Sequence, residues 1–179
     1  MAYYSSFAIV LALCISFQSA IHVQGDSSLI ESTCKVTNYY DLCISSLKSD
    51  LTSLNADANG LAIIMVRVAM ANATATNTYL SSQVLSATND TLMKKLIKDC
   101  AKNYSYAIEA LQASLQDLDA EFYDYAYINV MAAADYPNVC HSSFRRSPGV
   151  AYPHELAARE DGLKHICEVA LGIIDSLGR

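Results

Sequence analysis

The chain has 179 residues and is acidic: 12 lysines and arginines stand against 18 aspartates and glutamates, which gives a formal net charge of −6. Such a balance argues against nucleic-acid binding, because phosphate recognition needs clustered positive charge. Hydrophobic residues make up 53% of the sequence, yet beyond residue 25 the longest apolar run, Leu61 to Ala71, is about half a membrane span, so we expect one soluble domain there.

The first 25 residues are predicted to be a signal peptide. An apolar run from Phe7 to Phe17 is too short to cross a bilayer as a helix, and the small-residue pattern Val23-Gln24-Gly25 follows it. Cleavage after Ala20 is a second option. The remaining residues, 26–179, then form a single secreted domain.

Secretion places the mature chain in an oxidising compartment, where disulfides persist and N-glycans are added. Three acceptor triplets of the Asn-x-Ser/Thr type lie in it, at Asn72, Asn89 and Asn103. One such triplet arises easily by chance. Three of them in a secreted chain predict at least one glycan.

Apolar residues recur at helical spacing along the mature chain, and no segment alternates convincingly as a strand does. Residues 26–56 are predicted to form an arm of two short helical pieces, and residues 57–179 four longer helices. These are expected at Asp57 to Leu85, at about Thr88 to Leu118, from near Ala120 with a kink or restart at Pro137, and from Pro153 onward.

The longer helices carry apolar seams with alternating three- and four-residue steps. On the second helix the predicted seam is Leu92, Leu96, Cys100, Ala107, Leu111, Leu115 and Leu118, and on the third it is Phe122, Ala126, Val130, Ala133, Cys140 and Phe144. Short connections between four such helices predict an all-α, up-down-up-down four-helix bundle, with the arm as an N-terminal helical hairpin stapled by a disulfide.

Five of the six cysteines lie in the mature chain. Eight residues separate Cys34 from Cys43, which suits a local staple, whereas Cys100 and Cys140 lie on the inward seams of neighbouring helices. By chain entropy these two bridges contribute roughly 2.7 and 3.9 kcal/mol. We favour this pairing, but four cysteines allow three pairings and the sequence alone does not choose. Cys167 is interpreted as an unpaired thiol in the core.

No cluster of residues in the sequence predicts catalysis, a metal site or a cofactor. His154-Glu155 begins like a zinc-protease motif, but the second histidine of that motif is replaced by Ala158. A Gly-x-Ser-x-Gly elbow and a glycine-rich phosphate loop are both missing from the sequence. We therefore expect a binding protein; a bundle that holds a small apolar ligand in a gap between its helices is one alternative.

Several stretches of the chain occur together in a recognisable order. They are the arm from Cys34 to Cys43, the triplet Asn59-Gly60-Leu61, the run from Asp99-Cys100 to Tyr104, and the pair Cys140 and Phe144. The combination resembles the plant invertase inhibitor and pectin methylesterase inhibitor family, and the resemblance covers essentially the whole mature chain. It implies a four-helix bundle with an N-terminal hairpin, and disulfides that pair Cys34 with Cys43 and Cys100 with Cys140.

The resemblance also carries expectations about activity. It implies a protein without catalysis or cofactor, monomeric when free, that blocks the active site of a cell-wall carbohydrate enzyme in a one-to-one complex. The expected location is the apoplast or cell wall, with the vacuole as an alternative.

Two residues bear on the target enzyme, which is either pectin methylesterase or acid invertase. Some invertase inhibitors carry Pro-Lys-Phe at the turn into the third bundle helix, where this chain has Ala120-Glu121-Phe122. Glu121 reverses a charge that matters in a carboxylate-lined glycosidase site. Cys167 resembles an unpaired cysteine of some pectin methylesterase inhibitors. Together they slightly favour pectin methylesterase, although the chain also resembles the pollen-allergen branch that is usually labelled as invertase inhibitors.

Charges are segregated between Asn103 and Phe144, where no lysine or arginine occurs. Most acids of this stretch crowd around the connection between the second and third bundle helices, beside aromatic residues that are favoured in protein contacts. Acids here would steer a basic partner. The residues predicted to contact the target are Asp119, Glu121, Phe122, Tyr123, Asp124 and Tyr125. The alternative is that the acids only solvate a hairpin tip while the tyrosines edge the core.

Overall fold

The computed structural model describes residues 25–178, and within that range every regular element is helical. The all-α prediction is confirmed for this part of the chain. The predicted signal peptide lies outside the described residues, apart from Gly25 at its end.

The N-terminal arm is a hairpin of two ten-residue helices, α1 (Gly25–Cys34) and α2 (Tyr40–Ser49). A disulfide between Cys34 and Cys43 joins them, with the two Cα atoms 5.5 Å apart. A 3₁₀ turn, Leu51–Asn55, follows α2 and leads the chain toward the bundle. The hairpin contacts the first and last bundle helices, so it lies against the bundle rather than extending away from it.

Four longer helices form the bundle. Their bounds are Ala58–Ala87 for α3, Thr91–Asp119 for α4, Tyr123–Arg145 for α5 and His154–Leu177 for α6. Helix α3 includes one π-helical turn, Leu80–Val84. Each helix packs against two others, α3 and α5 both lying between α4 and α6, which is the neighbour pattern of an up-down-up-down bundle.

Local sequence sets where three of these helices begin. The carboxylate of Asp57 accepts a hydrogen bond from the Gly60 backbone N–H at 2.7 Å, and that of Asp90 accepts one from the Met93 N–H at 2.6 Å. These caps satisfy amides that have no partner within the helix. Pro153 stands immediately before α6, one residue from the predicted start.

The predicted seams and helix bounds need five corrections. Leu92 is exposed because it lies in the first turn of α4, at the rim of the bundle, and Phe122 is exposed because it precedes α5. Helix α5 begins at Tyr123 rather than near Ala120, and it does not restart at Pro137 but continues through this buried proline. The seam of α4 also includes Tyr104, which is fully buried between two predicted seam positions.

A second disulfide joins α4 to α5. It links Cys100 to Cys140, whose Cα atoms are 4.7 Å apart, so both cysteines lie in the helix–helix interface. Cys167 on α6 is unpaired and fully buried. Burial and the nearby Glu168 carboxylate raise the pKa of the Cys167 thiol to about 12.

Helix α3 is long and apolar enough to cross a bilayer, judged by length and composition alone. A core helix of a globular bundle passes the same test. Leu61, Met65 and Ala69 on this helix are fully buried, and α3 packs against both α4 and α6. Its apolar character is therefore used inside the bundle.

Candidate functional site

The turn between α4 and α5 contains only Ala120, Glu121 and Phe122, and it is closed by backbone hydrogen bonds. The Phe122 N–H donates to the carbonyl of Asp117 at 2.8 Å, and the Glu121 N–H donates to that of Leu118 at 3.1 Å. This is the Schellman pattern of a helix C-terminus, in which the residue after the cap adopts a left-handed conformation. That residue is Glu121, with φ at 59°.

Glycine usually fills this left-handed position, since a Cβ there crowds the backbone at a cost of about 1–2 kcal/mol. Glu121 is the one non-glycine residue with positive φ in the described part of the chain. Such local strain is concentrated at functional sites in proteins. The glutamate therefore occupies the turn against the preference of the backbone, which makes it a candidate for a role in binding.

Phe122 is placed unusually for this kind of turn. The residue after the left-handed position often packs its side chain back on the last turn of the helix, but there α4 presents the polar Gln116 and Asp117. Phe122 remains 58% exposed and meets the ring of Tyr125, 65% exposed, edge to face at a centroid distance of 6.3 Å. Two aromatic side chains are thus presented to solvent at the tip.

The structure brings the six predicted contact residues to one end of the bundle. Asp119, Glu121, Phe122, Asp124 and Tyr125 are exposed, whereas Tyr123 is half-buried and packs against the core. Five of the six line a shallow depression of about 290 Å³, the exception being Asp119. We call this end, residues 117–125, the acidic tip.

Hydrogen bonds hold the acidic tip to the bundle behind it. The Asn59 amide, in the first turn of α3, donates to the Leu118 carbonyl at 3.1 Å, and the Asn129 amide on α5 donates to the Asp117 carboxylate at 2.8 Å. The buried Ser114 hydroxyl donates across to the carbonyl of Ala126 at 3.1 Å. These bonds tie α3, α4 and α5 together just behind the tip, so a partner would meet a preorganised surface.

The acids of the tip have no cationic neighbour among the residues that the structure describes. The two ion pairs among the described residues join His141 to Glu160 and Arg159 to Glu155, and both lie away from the tip. Basic residues collect instead at the opposite end of the bundle, where α4 begins and α5 ends. They are Lys94, Lys95, Lys98, Arg145 and Arg146. Within the described residues, charge is therefore separated along the bundle axis.

An exposed apolar stripe continues from the tip along α5. Ile128 and Met131 are 55% and 51% exposed, and both line an open groove of about 500 Å³ between α5 and α6. Lys164 and Glu168 lie on the α6 side of the groove with Leu171. This stripe is not among the predicted contact residues, although the three-residue steps from Tyr125 to Ile128 to Met131 indicate it.

Comparison with known proteins identifies the family. The family model for plant invertase/pectin methylesterase inhibitors matches residues 28–173. A curated protein from Arabidopsis thaliana, "Cell wall / vacuolar inhibitor of fructosidase 2", is 47% identical over 97% of this chain and 98% of its own length. The chain belongs to the plant invertase/pectin methylesterase inhibitor family.

Two further similar proteins are named as inhibitors of a different enzyme, pectin methylesterase (pectinesterase). "Pectinesterase inhibitor 28" from Oryza sativa subsp. japonica is 41% identical, over 83% of this chain and 68% of its own length. The crystal structure of a mutant form of a pectin methylesterase inhibitor from Arabidopsis superposes with a TM-score of 0.66, at 23% identity over 82% of this chain and 95% of that one. The structural likeness supports the fold. The names of the similar proteins refer to two different enzymes, fructosidase and pectin methylesterase.

This family member also has a polar cluster between α5 and α6, near the Cys100–Cys140 bridge. The Tyr152 hydroxyl donates to the buried Glu160 carboxylate at 2.8 Å, and the imidazole of His141 lies 3.4 Å from the same carboxylate and stacks on the Tyr152 ring. Burial and the hydrogen bond to Glu160 raise the pKa of Tyr152. These groups satisfy one another and tie the connection before α6 to the bundle, as a structural cluster does.

Proposed function

We propose that this protein is a secreted, non-catalytic inhibitor that seats its acidic tip on the active site of a plant carbohydrate enzyme. The observation that carries the proposal is the 47% identity, over nearly the full length of both chains, to a protein named as an inhibitor of fructosidase. The exposed aromatic pair Phe122 and Tyr125, on a braced and strained turn, supplies the contact surface.

The first target to test is a fructosidase, that is, acid invertase. The preference of the sequence for pectin methylesterase rests on Glu121 and Cys167. Cys167 is fully buried, so it touches no partner and does not distinguish the two enzymes by contact. Glu121 remains the one residue that favours pectin methylesterase, and it keeps that enzyme as the second candidate.

A non-catalytic role agrees with the chemistry of the described residues. The side chains of the polar cluster formed by His141, Tyr152 and Glu160 contact one another. The thiol of Cys167 is buried, and its pKa is raised. A nucleophile needs the opposite environment, with access to substrate and a lowered pKa. Binding through the surface is the simpler mode of action.

Secretion is part of the proposal and rests on the sequence of residues 1–25. The names of relatives, which place them in the cell wall or vacuole, support it. The oxidised pairs Cys34–Cys43 and Cys100–Cys140 support it as well, because disulfides are characteristic of secreted proteins.

The deciding experiment titrates purified protein against acid invertase and against pectin methylesterase in parallel, with native mass spectrometry on each mixture. We expect stoichiometric loss of invertase activity and a one-to-one complex. If only pectin methylesterase is inhibited, that enzyme is the target. Failure to bind or inhibit either enzyme would refute the proposal.

A matched pair of variants tests the surface. Replacement of Phe122 and Tyr125 by alanine should weaken inhibition at least tenfold, because exposed aromatic side chains are the residue type that carries most binding energy at interfaces. The control replaces Lys95 and Lys98, exposed at the opposite end, and should leave inhibition unchanged. Equal effects of the two double variants would place the interface elsewhere.

A further inference from the structure

The three acceptor triplets for N-glycosylation have different structural settings. Asn89 lies in the short connection between α3 and α4, and its side chain is exposed, as are those of Asp90 and Thr91. The flanking backbone is extended, with φ and ψ of −116° and 142° at Thr88 and of −69° and 125° at Asp90. A sugar attached here would project into solvent.

Asn72 is half-buried in the middle of α3. Its amide nitrogen lies 3.8 Å from the point that a Cβ on Gly162 of α6 would occupy, and its amide oxygen is buried without a hydrogen-bond partner in the described part of the chain. The Thr74 hydroxyl of the same triplet donates to the Met70 carbonyl at 2.7 Å. An oligosaccharide on Asn72 would require α3 and α6 to separate.

Asn103 is half-buried on α4, as Asn72 is on α3, and its amide donates to the Asp99 carbonyl at 2.8 Å. Ser105, the third residue of this triplet, accepts a hydrogen bond from the Asn77 amide of α3 at 2.8 Å. Ser105 is therefore part of the α3–α4 interface, and a glycan on the half-buried Asn103 would have to displace the neighbours that cover its side chain.

We propose that Asn89 carries an N-linked oligosaccharide and that Asn72 and Asn103 are unmodified in the folded protein. The Asn89 amide nitrogen attacks C1 of an oligosaccharide carried on a polyprenyl diphosphate. A C1–N bond forms, the C1–O bond breaks, the lipid diphosphate leaves, and one amide proton passes to a base of the transferring enzyme. Because transfer precedes folding, packing decides which modified chains reach the native state.

The position of Asn89 is compatible with the proposed inhibition. Residues 91–116 of α4 separate it from the acidic tip, a distance of about 40 Å at 1.5 Å per residue. A glycan on Asn89 therefore stands at the basic end of the bundle and leaves the tip free. The inference rests on the proposed secretion, since the transferring enzyme acts in the secretory pathway.

The test expresses the full chain in yeast, once with its own N-terminal segment and once behind an independent secretion leader, and compares the mass of the secreted protein before and after treatment with peptide N-glycosidase. We expect one glycan, mapped to Asn89 by its conversion to aspartate. It should be lost in Asn89→Gln and Thr91→Ala, and kept in Thr91→Ser, Asn72→Gln and Asn103→Gln. Thr91→Ser is the matched control, because it preserves the triplet.

The outcomes separate the two proposals. A glycan on Asn72 or Asn103 of soluble, folded protein, or secreted protein that is unmodified at Asn89, overturns the inference. If Asn89 is glycosylated only when the independent leader is used, the proposed signal peptide is refuted and the inference about Asn89 stands. Inhibition by Asn89→Gln should equal that of the unaltered protein, because the site is remote from the tip.

Discussion

Glu121 combines two properties that pull in opposite directions, a strained backbone and an exposed charge at the acidic tip. We predict that Glu121→Gly raises the free energy of unfolding by about 0.5–1 kcal/mol, since glycine adopts the left-handed conformation without a steric cost. The same change should weaken inhibition of pectin methylesterase about fivefold, because it removes the proposed contact residue that favours that enzyme. Urea denaturation and inhibition assays measure the two effects.

The control for this prediction is Glu121→Gln, which keeps the Cβ and the strain but removes the charge. Its stability should match that of the unaltered protein, and its inhibition shows how much of the binding loss is electrostatic. A glycine variant that is both less stable and fully inhibitory would contradict the assignment of strain and of contact.

Tyr104 has the only buried tyrosine hydroxyl without a hydrogen-bond partner among the described residues. An unpaired buried hydroxyl costs about 1–3 kcal/mol in desolvation, and burial raises the pKa of this tyrosine. Tyr104→Phe keeps the ring and removes the hydroxyl, so we predict equal or higher stability, by up to about 1 kcal/mol. A loss of more than 1 kcal/mol in urea denaturation would show that the hydroxyl has a partner.

Cys167 should be inert in the folded protein. Its pKa is raised from 9.0 to about 12, so at pH 9 only about one native thiol in a thousand is ionised, against half in the unfolded chain. Because the pKa is higher in the folded protein, the thiol stabilises the folded state below pH 9, and this stabilisation is lost as the pH rises from 9 toward 12. We predict that alkylation at pH 9 is slow in buffer and fast in urea. Rapid labelling of native protein would contradict the burial.

At the scale of elements, the two disulfides close loops of different size. By chain entropy the Cys100–Cys140 bridge contributes about 3.9 kcal/mol and the Cys34–Cys43 bridge about 2.7 kcal/mol. We predict that Cys100→Ala with Cys140→Ala lowers the free energy of unfolding by more than the matched pair Cys34→Ala with Cys43→Ala. Denaturation of both double variants decides, and the reverse order would show that the arm contributes more than its loop length implies.

Helix spacing in the sequence predicted the arm, the four bundle helices and the neighbouring positions of Cys100 and Cys140. Periodicity, however, does not say where a bundle stops, which is why Leu92 and Phe122 were wrongly placed on the seams. Nor does it forbid a buried proline: α5 continues through Pro137 because the surrounding contacts override local preference. The helices and most of their bounds were predictable, whereas the exposure of residues at those bounds was not.

The acidic tip was predictable in composition but not in conformation. A run without lysine or arginine, rich in acids and aromatics, located it, whereas the left-handed backbone of Glu121 leaves no mark in a sequence that lacks glycine there. The hydrogen bond from Asn59 to Leu118 joins residues 59 positions apart, and no local pattern reveals it. Long-range contacts of this kind appear only once the helices are packed.

For the whole molecule, the separation of charge along the bundle axis has a kinetic consequence. The acids of the tip face no cation among the described residues, whereas the lysines at the start of α4 stand at the far end. A target with a basic surface would be drawn in with the tip leading, and such steering is weakened by salt because the Debye length shrinks to about 8 Å at physiological ionic strength.

For a target with a basic surface we therefore predict that Asp119→Asn, Glu121→Gln and Asp124→Asn together lower the association rate constant about tenfold at low salt. The effect should fade as salt is raised, because charges at the rim of an interface act mainly on association. The matched control, Lys94→Gln, Lys95→Gln and Lys98→Gln, leaves the tip unchanged and should alter the rate little. Stopped-flow or surface-binding measurements across a salt series distinguish the two. If the acidic triple variant lost affinity only through faster dissociation, equally at all salt concentrations, the acids would be contact groups and not a steering field.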